Sequence, residues 1–236
     1  MCCEPTTASS PTGLSGSVLP PPSTGSRSCS GCGAHILPRD VDIDQNQHEP
    51  FAVLDRWLAE ARAADVPEPE SVALVTVGEG GRPSARTVAL KRLEDQALVF
   101  TSALWTRKAR EIEANPQVAL LFYWPTIGRQ IHITGQASFA ERELATELFS
   151  QRELSHQVQT LVSRQGEPIA DIQALRVRHA RLMGSLQTPP ECPPDWGAIR
   201  VVPGAVEFWL GAPDRIHDRL LYRRADAGWQ LTRLSP

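Results

Sequence analysis

Arg82-Pro83-Ser84-Ala85-Arg86-Thr87-Val88-Ala89-Leu90-Lys91 follows the strand-like run Val72-Ala73-Leu74-Val75-Thr76-Val77 across the turn Gly78-Glu79-Gly80-Gly81. Two β-rich segments joined by residues that accept positive φ predict a hairpin. Its second strand is unusual. Arg86, Val88 and Leu90 fall on one face and Thr87, Ala89 and Lys91 on the other, so each face mixes a cation with small or apolar side chains. Taken alone, this is the pattern of an edge strand that uses charge to deter pairing with other chains. The alternative is one wall of a ligand site, which requires further cations elsewhere in the chain.

Outward from the hairpin, the β signal continues. Strand candidates at 72–77, 85–91, 97–101, 117–123 and 129–139 are separated mostly by hairpin-length gaps, with one helix between the third and fourth. That spacing predicts a mainly β, antiparallel barrel with added helices rather than repeated βαβ units. Upstream, Phe51, Leu54, Trp57, Leu58 and Ala61 recur at helical spacing, and Pro67 and Pro69 end that helix. Downstream, 141–149 and 172–183 read as helices and 187–194 as a proline-rich loop. Strands follow at 198–202, 205–209, 219–223 and 229–234, so the C-terminus is expected to lie in the sheet.

The totals narrow the function. A chain of 236 residues with 41% hydrophobic side chains can bury a full core, and a net charge of −3 argues against a general nucleic-acid binder. The longest apolar run, 118–124, is too short to span a bilayer, and neither a GxGxxG fingerprint nor a Walker loop is present. Residues 1–45 are rich in Ser, Pro, Gly and Thr and are expected to be a disordered leader ahead of one domain spanning 46–236. The first residues carry no basic n-region or apolar h-region, so a cytoplasmic location is expected. Cys29 and Cys32, with His35, fall in the leader without a second CxxC pair, and no metal site is expected from them.

Two further basic clusters answer the question raised by the hairpin. Thr106-Arg107-Lys108 opens a helix that ends at Asn115-Pro116, with Thr106 as the expected N-cap. Cations in a first helical turn oppose the macrodipole at about 0.3–1 kcal/mol each. A bound anion explains them better, because a helix N-terminus, a hydroxyl and two cations form a phosphate cradle. A solvated helix start is the competing explanation. In Arg215-Ile216-His217-Asp218-Arg219, the three potential cations share one face if the segment is extended, and either an anionic ligand or the neighbouring Asp214 and Asp218 must offset them.

Arg86-Thr87-Val88-Ala89-Leu90-Lys91, Thr106-Arg107-Lys108, Arg129-Gln130, Glu207-Phe208-Trp209 and Arg215-Ile216-His217-Asp218-Arg219 together resemble the pyridoxamine 5′-phosphate oxidase family, in order, from about Phe51 to the C-terminus. The resemblance implies an FMN-binding split β-barrel, a homodimer with FMN at the subunit interface. It also implies hydride transfer from a small-molecule substrate to the flavin, with reoxidation by O2 to hydrogen peroxide. By position, Arg86, Thr87, Val88, Ala89, Leu90, Lys91, Thr101, Ser102, Arg107, Lys108, Gln130, Gln165, Trp209 and Arg219 correspond to flavin-binding residues. Lys91, Arg152, Arg215 and His217 correspond to substrate residues, with Arg215 and His217 as the expected catalytic pair.

Two positions depart from the family pattern. Its phosphate-binding tyrosine falls on Leu148 and its serine on His156, which makes His156 a substrate-binding candidate of altered chemistry. Losing two neutral donors weakens a phosphorylated substrate by about 0.5–1.5 kcal/mol per ordinary hydrogen bond. The expected substrate is pyridoxine or pyridoxamine 5′-phosphate. The alternative is the reduced, carboxylated ring of a phenazine-biosynthesis flavin oxidase, and a third reading is a non-catalytic flavin-binding barrel.

Overall fold

The computed structural model describes residues 49–94 and 96–236, so the expected leader, its cysteines and the 45/46 boundary lie outside the described residues. Helix α1 (Pro50–Ala63) precedes strands β1 (Ser71–Val77), β2 (Pro83–Ala89), β3 (Arg92–Glu94) and β4 (Ala97–Ala103). Helix α2 (Arg107–Ala114), strands β5 (Gln117–Trp124) and β6 (Arg129–Phe139), and helices α3 (Arg142–Ser150), α4 (Leu154–Val162) and α5 (Ile172–Ser185) come next. The chain ends on β7 (Trp196–Leu210), β8 (Asp218–Ala225) and β9 (Gly228–Leu234). Among the described residues these strands form one sheet, ordered β2-β1-β5-β6-β7-β4-β3, with β8 and β9 continuing from β7. Every pairing is antiparallel. The result is a curled, half-closed barrel, mainly β with helices, as expected.

The hairpin forms as read, with Val72 opposite Val88 and Leu74 opposite Arg86, and its turn uses Gly80 (φ 68°) and Gly81 (φ 75°). Strand β2 does end the sheet, so the charge-guarded edge is real. The same edge position leaves Thr87, Val88 and Ala89 free to face a cavity. The two readings of the stretch are therefore compatible.

Helix α1 buries Phe51, Leu54, Trp57, Leu58 and Ala61 against the sheet, the face set by their spacing. Trp57 packs edge-on against Phe208 of β7 at 5.2 Å, and Phe208 against Tyr222 of β8 at 5.7 Å. Offset aromatic pairs of this kind add about 0.5–1.5 kcal/mol beyond their area. Arg129 is buried, lies 4.7 Å over the Trp57 ring and pairs with Glu60, so the start of β6 is tied to α1.

Three expectations need correction. The segments at 198–202 and 205–209 are one strand, β7. Pro203 has no N–H for a ladder bond, but it sits opposite Gly135 where the β6–β7 register shifts, and the bulge absorbs it. A Cβ on Gly135 would lie 2.3 Å from the Val202 carbonyl oxygen, so only glycine allows this approach. Helix α4 and the three-residue β3 were not anticipated.

Candidate functional site

A cavity of about 460 Å³ lies between the β2 edge, β4 and α2 on one side and α4 with its flanking loops on the other. Thr87, Val88, Ala89, Lys91, Thr101, Ser102, Lys108, Arg152, His156 and Gln165 all line it. Strand alternation and the short β4–α2 connection bring Ser102 and Lys108 together. The Lys108 ammonium is buried and donates to Ser102 Oγ and to Gln165 Oε1, both at 3.0 Å. Burial, with a smaller contribution from the charge of Arg86, lowers its pKa from 10.5 to about 8. A buried ammonium held only by neutral partners is poised for an anion.

Thr106 stands at the N-cap position of α2, but its hydroxyl donates to Ala103 O (2.8 Å) and pairs with Ser102 Oγ (3.1 Å) instead of capping the helix. The expected cap is thus replaced by a hydroxyl pair at the cavity wall, and no side chain caps the first-turn N–H groups. Arg86 and Arg107 lie beside this helix start, outside the cavity lining, and both bond Glu111. Across the cavity, the Arg152 guanidinium lies 4.3 Å over the Trp196 ring, and its buried Nη1 has no hydrogen-bond partner among the described residues. Burial lowers the Arg152 pKa as well.

The remaining expected residues lie elsewhere in the chain's own fold. Gln130, Trp209 and Arg219 form a row across β6, β7 and β8, since Gln130 pairs with Trp209 and Trp209 with Arg219. Arg219 Nε donates to Glu207 Oε1 at 2.8 Å. His217 lies 4.6 Å from the Trp209 ring, and its Nδ1 accepts the Ala212 N–H at 3.0 Å, which leaves Nε2 for a ligand. On β7, Gly197 pairs with Ser102 at the cavity, whereas Trp209 is twelve residues further along. At about 3.3 Å per residue, that places the two groups tens of ångströms apart along the strand, a contour longer than one flavin-sized ligand.

The extended reading of 215–219 also needs correction. Arg215 has φ 66° and its N–H bonds Ala212 O, while Asp214 Oδ1 accepts the Ile216 N–H at 3.0 Å. A turn therefore precedes β8, and Arg215 does not share a strand face with His217 and Arg219. Leu90 and Leu148 are core residues: Leu90 joins the main core, and Leu148 packs with Val99, Leu144, Ala145 and Ala198. Neither lines the cavity. Trp105, Gln159, Thr160, Ser163 and Trp196 line it and were missed. The spacing of His156, Gln159, Thr160 and Ser163 is that of one helix face and was the signal available.

Among the described residues, no group of three or more His, Cys, Asp or Glu side chains is arranged to hold a metal, and no helix is long and apolar enough to cross a membrane. The fold is that of the flavin-binding split barrels. An FMN-binding protein from Nostoc punctiforme, described as pyridoxamine 5′-phosphate oxidase-related, superposes with a TM-score of 0.66 at 20% identity, covering 79% of this chain and 98% of its own, a likeness of fold alone. The chain belongs to the pyridoxamine 5′-phosphate oxidase family. The family profile described as pyridoxamine 5′-phosphate oxidase matches residues 58–183, and that of the pyridoxine 5′-phosphate oxidase C-terminal dimerisation region matches 196–236, which is β7 to β9.

A pyridoxine/pyridoxamine 5′-phosphate oxidase of Burkholderia lata is 42% identical over 192 residues, covering 80% of this chain and 90% of the relative. Its counterpart in Paraburkholderia phytofirmans is 40% identical over 198 residues, covering 83% and 92%. Among solved structures, PhzG from Burkholderia lata 383 in complex with tetrahydrophenazine-1-carboxylic acid superposes with a TM-score of 0.77 at 34% identity, covering 82% of this chain and 95% of PhzG.

Proposed function

We propose that this chain is an FMN-dependent oxidase that works as a homodimer and converts pyridoxine or pyridoxamine 5′-phosphate to pyridoxal 5′-phosphate, with O2 as acceptor and hydrogen peroxide as product. The observation that carries the reading is a pair of cations on opposite walls of one cavity, the buried Lys108 and the half-buried Arg152 with its buried Nη1, neither in an ion pair with any described residue. Two anion-seeking centres fit two anionic groups, one on the cofactor and one on the substrate.

In this reading Lys108, with Arg86 and Arg107 at the start of α2, holds the flavin phosphate. Thr87 to Ala89, Thr101, Ser102 and Gln165 line the cofactor. Gln130, Trp209 and Arg219, too distant within one copy, are supplied by the second copy. FMN held there would supply the two-electron redox chemistry, as hydride acceptor from a substrate carbon and donor to O2. Lys91, Arg152 and His156 bind the substrate's anionic group. Arg215 and His217 of the second copy orient its reacting face, with His217 Nε2 free to hold a proton.

A second reading has its own support. Leu148 offers no hydroxyl to the cavity, His156 adds an imidazole, and PhzG shares the fold. These favour a reduced, carboxylated aromatic ring. Assaying the FMN-loaded protein with both B6 phosphates and with such a ring decides between them. Equimolar pyridoxal phosphate and peroxide are expected. Turnover of the tricyclic acid alone would establish the second reading, and a yellow dimer inert to all three would be a flavin-binding protein without catalysis.

A further inference from the structure

Arg86 and Arg107 reach the start of α2 from different elements, a strand and the helix itself, and one carboxylate connects them. Glu111, one turn into α2 and with its side chain only 9% exposed, accepts from Arg107 Nε at 2.6 Å and from Arg86 Nη2 at 3.2 Å. The fully buried Thr76 completes the link. Its hydroxyl accepts from Arg86 Nη1 at 2.5 Å and donates to Glu111 Oε2 at 2.5 Å. A Cβ on Gly78 would stand 2.9 Å from Glu111 Oε1, so a side chain at this turn position would crowd the carboxylate. Burial pushes the Glu111 carboxyl up, but the bonds from Thr76, Arg107 and Arg86 outweigh it and keep the group charged.

A buried carboxylate beside a phosphate cradle has two opposed consequences. Its charge repels an incoming phosphate. Its bonds, however, hold two long, flexible guanidinium side chains in one arrangement before the phosphate arrives, so their ordering no longer opposes binding. Fixed hydrogen-bond geometry at short range outweighs one unit of charge that two arginines already neutralise.

We propose that Glu111 is a positioning residue that fixes Arg86 and Arg107 for the phosphate of the flavin; the inference rests on the flavin reading above. Glu111 does not line the cavity, so its effect is expected to run through the two arginines to the phosphate alone. FMN and riboflavin differ by that phosphate and are the two probes.

Apo-protein carrying Glu111→Gln or Glu111→Asp is titrated with each flavin, following the quenching of flavin fluorescence. The wild type is expected to bind FMN more tightly than riboflavin. Both variants should lose about tenfold in FMN affinity, with riboflavin affinity unchanged. Glu111→Asp retains the charge and shortens the reach by one methylene, so it keeps the test valid if the Gln variant folds poorly. In an Arg107→Ala background the Glu111→Gln loss should shrink, because one of its two targets is gone. A folded Glu111→Gln protein that binds FMN as tightly as wild type or more tightly would overturn the proposal, leaving only the charge effect. Equal weakening of both flavins would overturn it too, by making Glu111 a general support. A wild-type protein that binds neither flavin would overturn the flavin reading itself, a separate outcome.

Discussion

Lys108 carries the most direct pH dependence. Its ammonium titrates near pH 8 rather than 10.5 because burial disfavours the charged form. A cation holding a phosphate is lost as pH rises, so FMN affinity should fall through about pH 8 when titrated from neutral to alkaline pH, and a Lys108→Arg protein should hold its affinity flat. Apo-protein stability should move the opposite way. The unfolded chain binds the proton more tightly, so this group contributes increasing stability between about pH 8 and 10.5, which denaturant midpoints for wild type and Lys108→Met would reveal by difference. His217 and Arg219 are distinguishable on the second group. His217→Ala should leave a yellow protein with turnover reduced about 10²-fold or more, whereas Arg219→Ala should lose retained FMN on gel filtration. The reverse pattern would exchange their roles. At this scale the basic cluster pointed to Lys108 and the family resemblance to Ser102 and Gln165, and all three line the cavity. It misled at Arg215, although Ala212-Pro213-Asp214 was available as a turn signal, because alternation was applied to a segment that is not extended. Leu148 was read for the hydroxyl it lacks, although its apolar side chain at helical spacing from Leu144 already signalled a core position.

Elements with one apolar face were read from their period, and elements that draw their partners from distant sequence were not. Helix α1, the β1–β2 hairpin and β6 follow their hydrophobic spacing. Helix α4 buries Gln157, Val158, Thr160 and Val162, a face half polar, so its apolar signal is weak while its cavity-facing polar residues are the informative ones. Strand β7 looked divided because Pro203-Gly204 punctuates it, and only the partner bulge at Gly135 explains its continuity. Arg129 joins two elements whose contact no local pattern announces, β6 and α1, through Glu60 and the Trp57 ring. Arg129→Met should lower unfolding free energy by about 2 kcal/mol, since a half-exposed Glu60 loses its partner but is not stranded in the core. Urea denaturation measures it, and an unchanged midpoint would remove Arg129 from the list of supports.

At the scale of the whole molecule, the proposed site draws on two chains. The cavity lies at one end of β7 and the Gln130–Trp209–Arg219 row at the other, with Trp209 and Arg219 inside the matched dimerisation region. A composite site predicts complementation. Mixed dimers of Lys108→Ala and His217→Ala chains contain one intact site in each heterodimer, so random exchange should restore about a quarter of wild-type activity from two impaired parents. Recovery of none would place both groups within one subunit's site. The fold was legible from strand spacing because each hairpin is local, whereas the site was legible only as residue types, since the cavity and the Gln130–Trp209–Arg219 row fall at opposite ends of β7. Substrate-driven reduction of a bound flavin is the central claim, and one measurement addresses it. FMN-loaded protein is mixed anaerobically with pyridoxine 5′-phosphate or pyridoxamine 5′-phosphate while the yellow flavin absorbance is followed, and air is then admitted. The band should bleach with either phosphate and return in air with release of peroxide and pyridoxal 5′-phosphate; a band that neither phosphate bleaches would contradict the account.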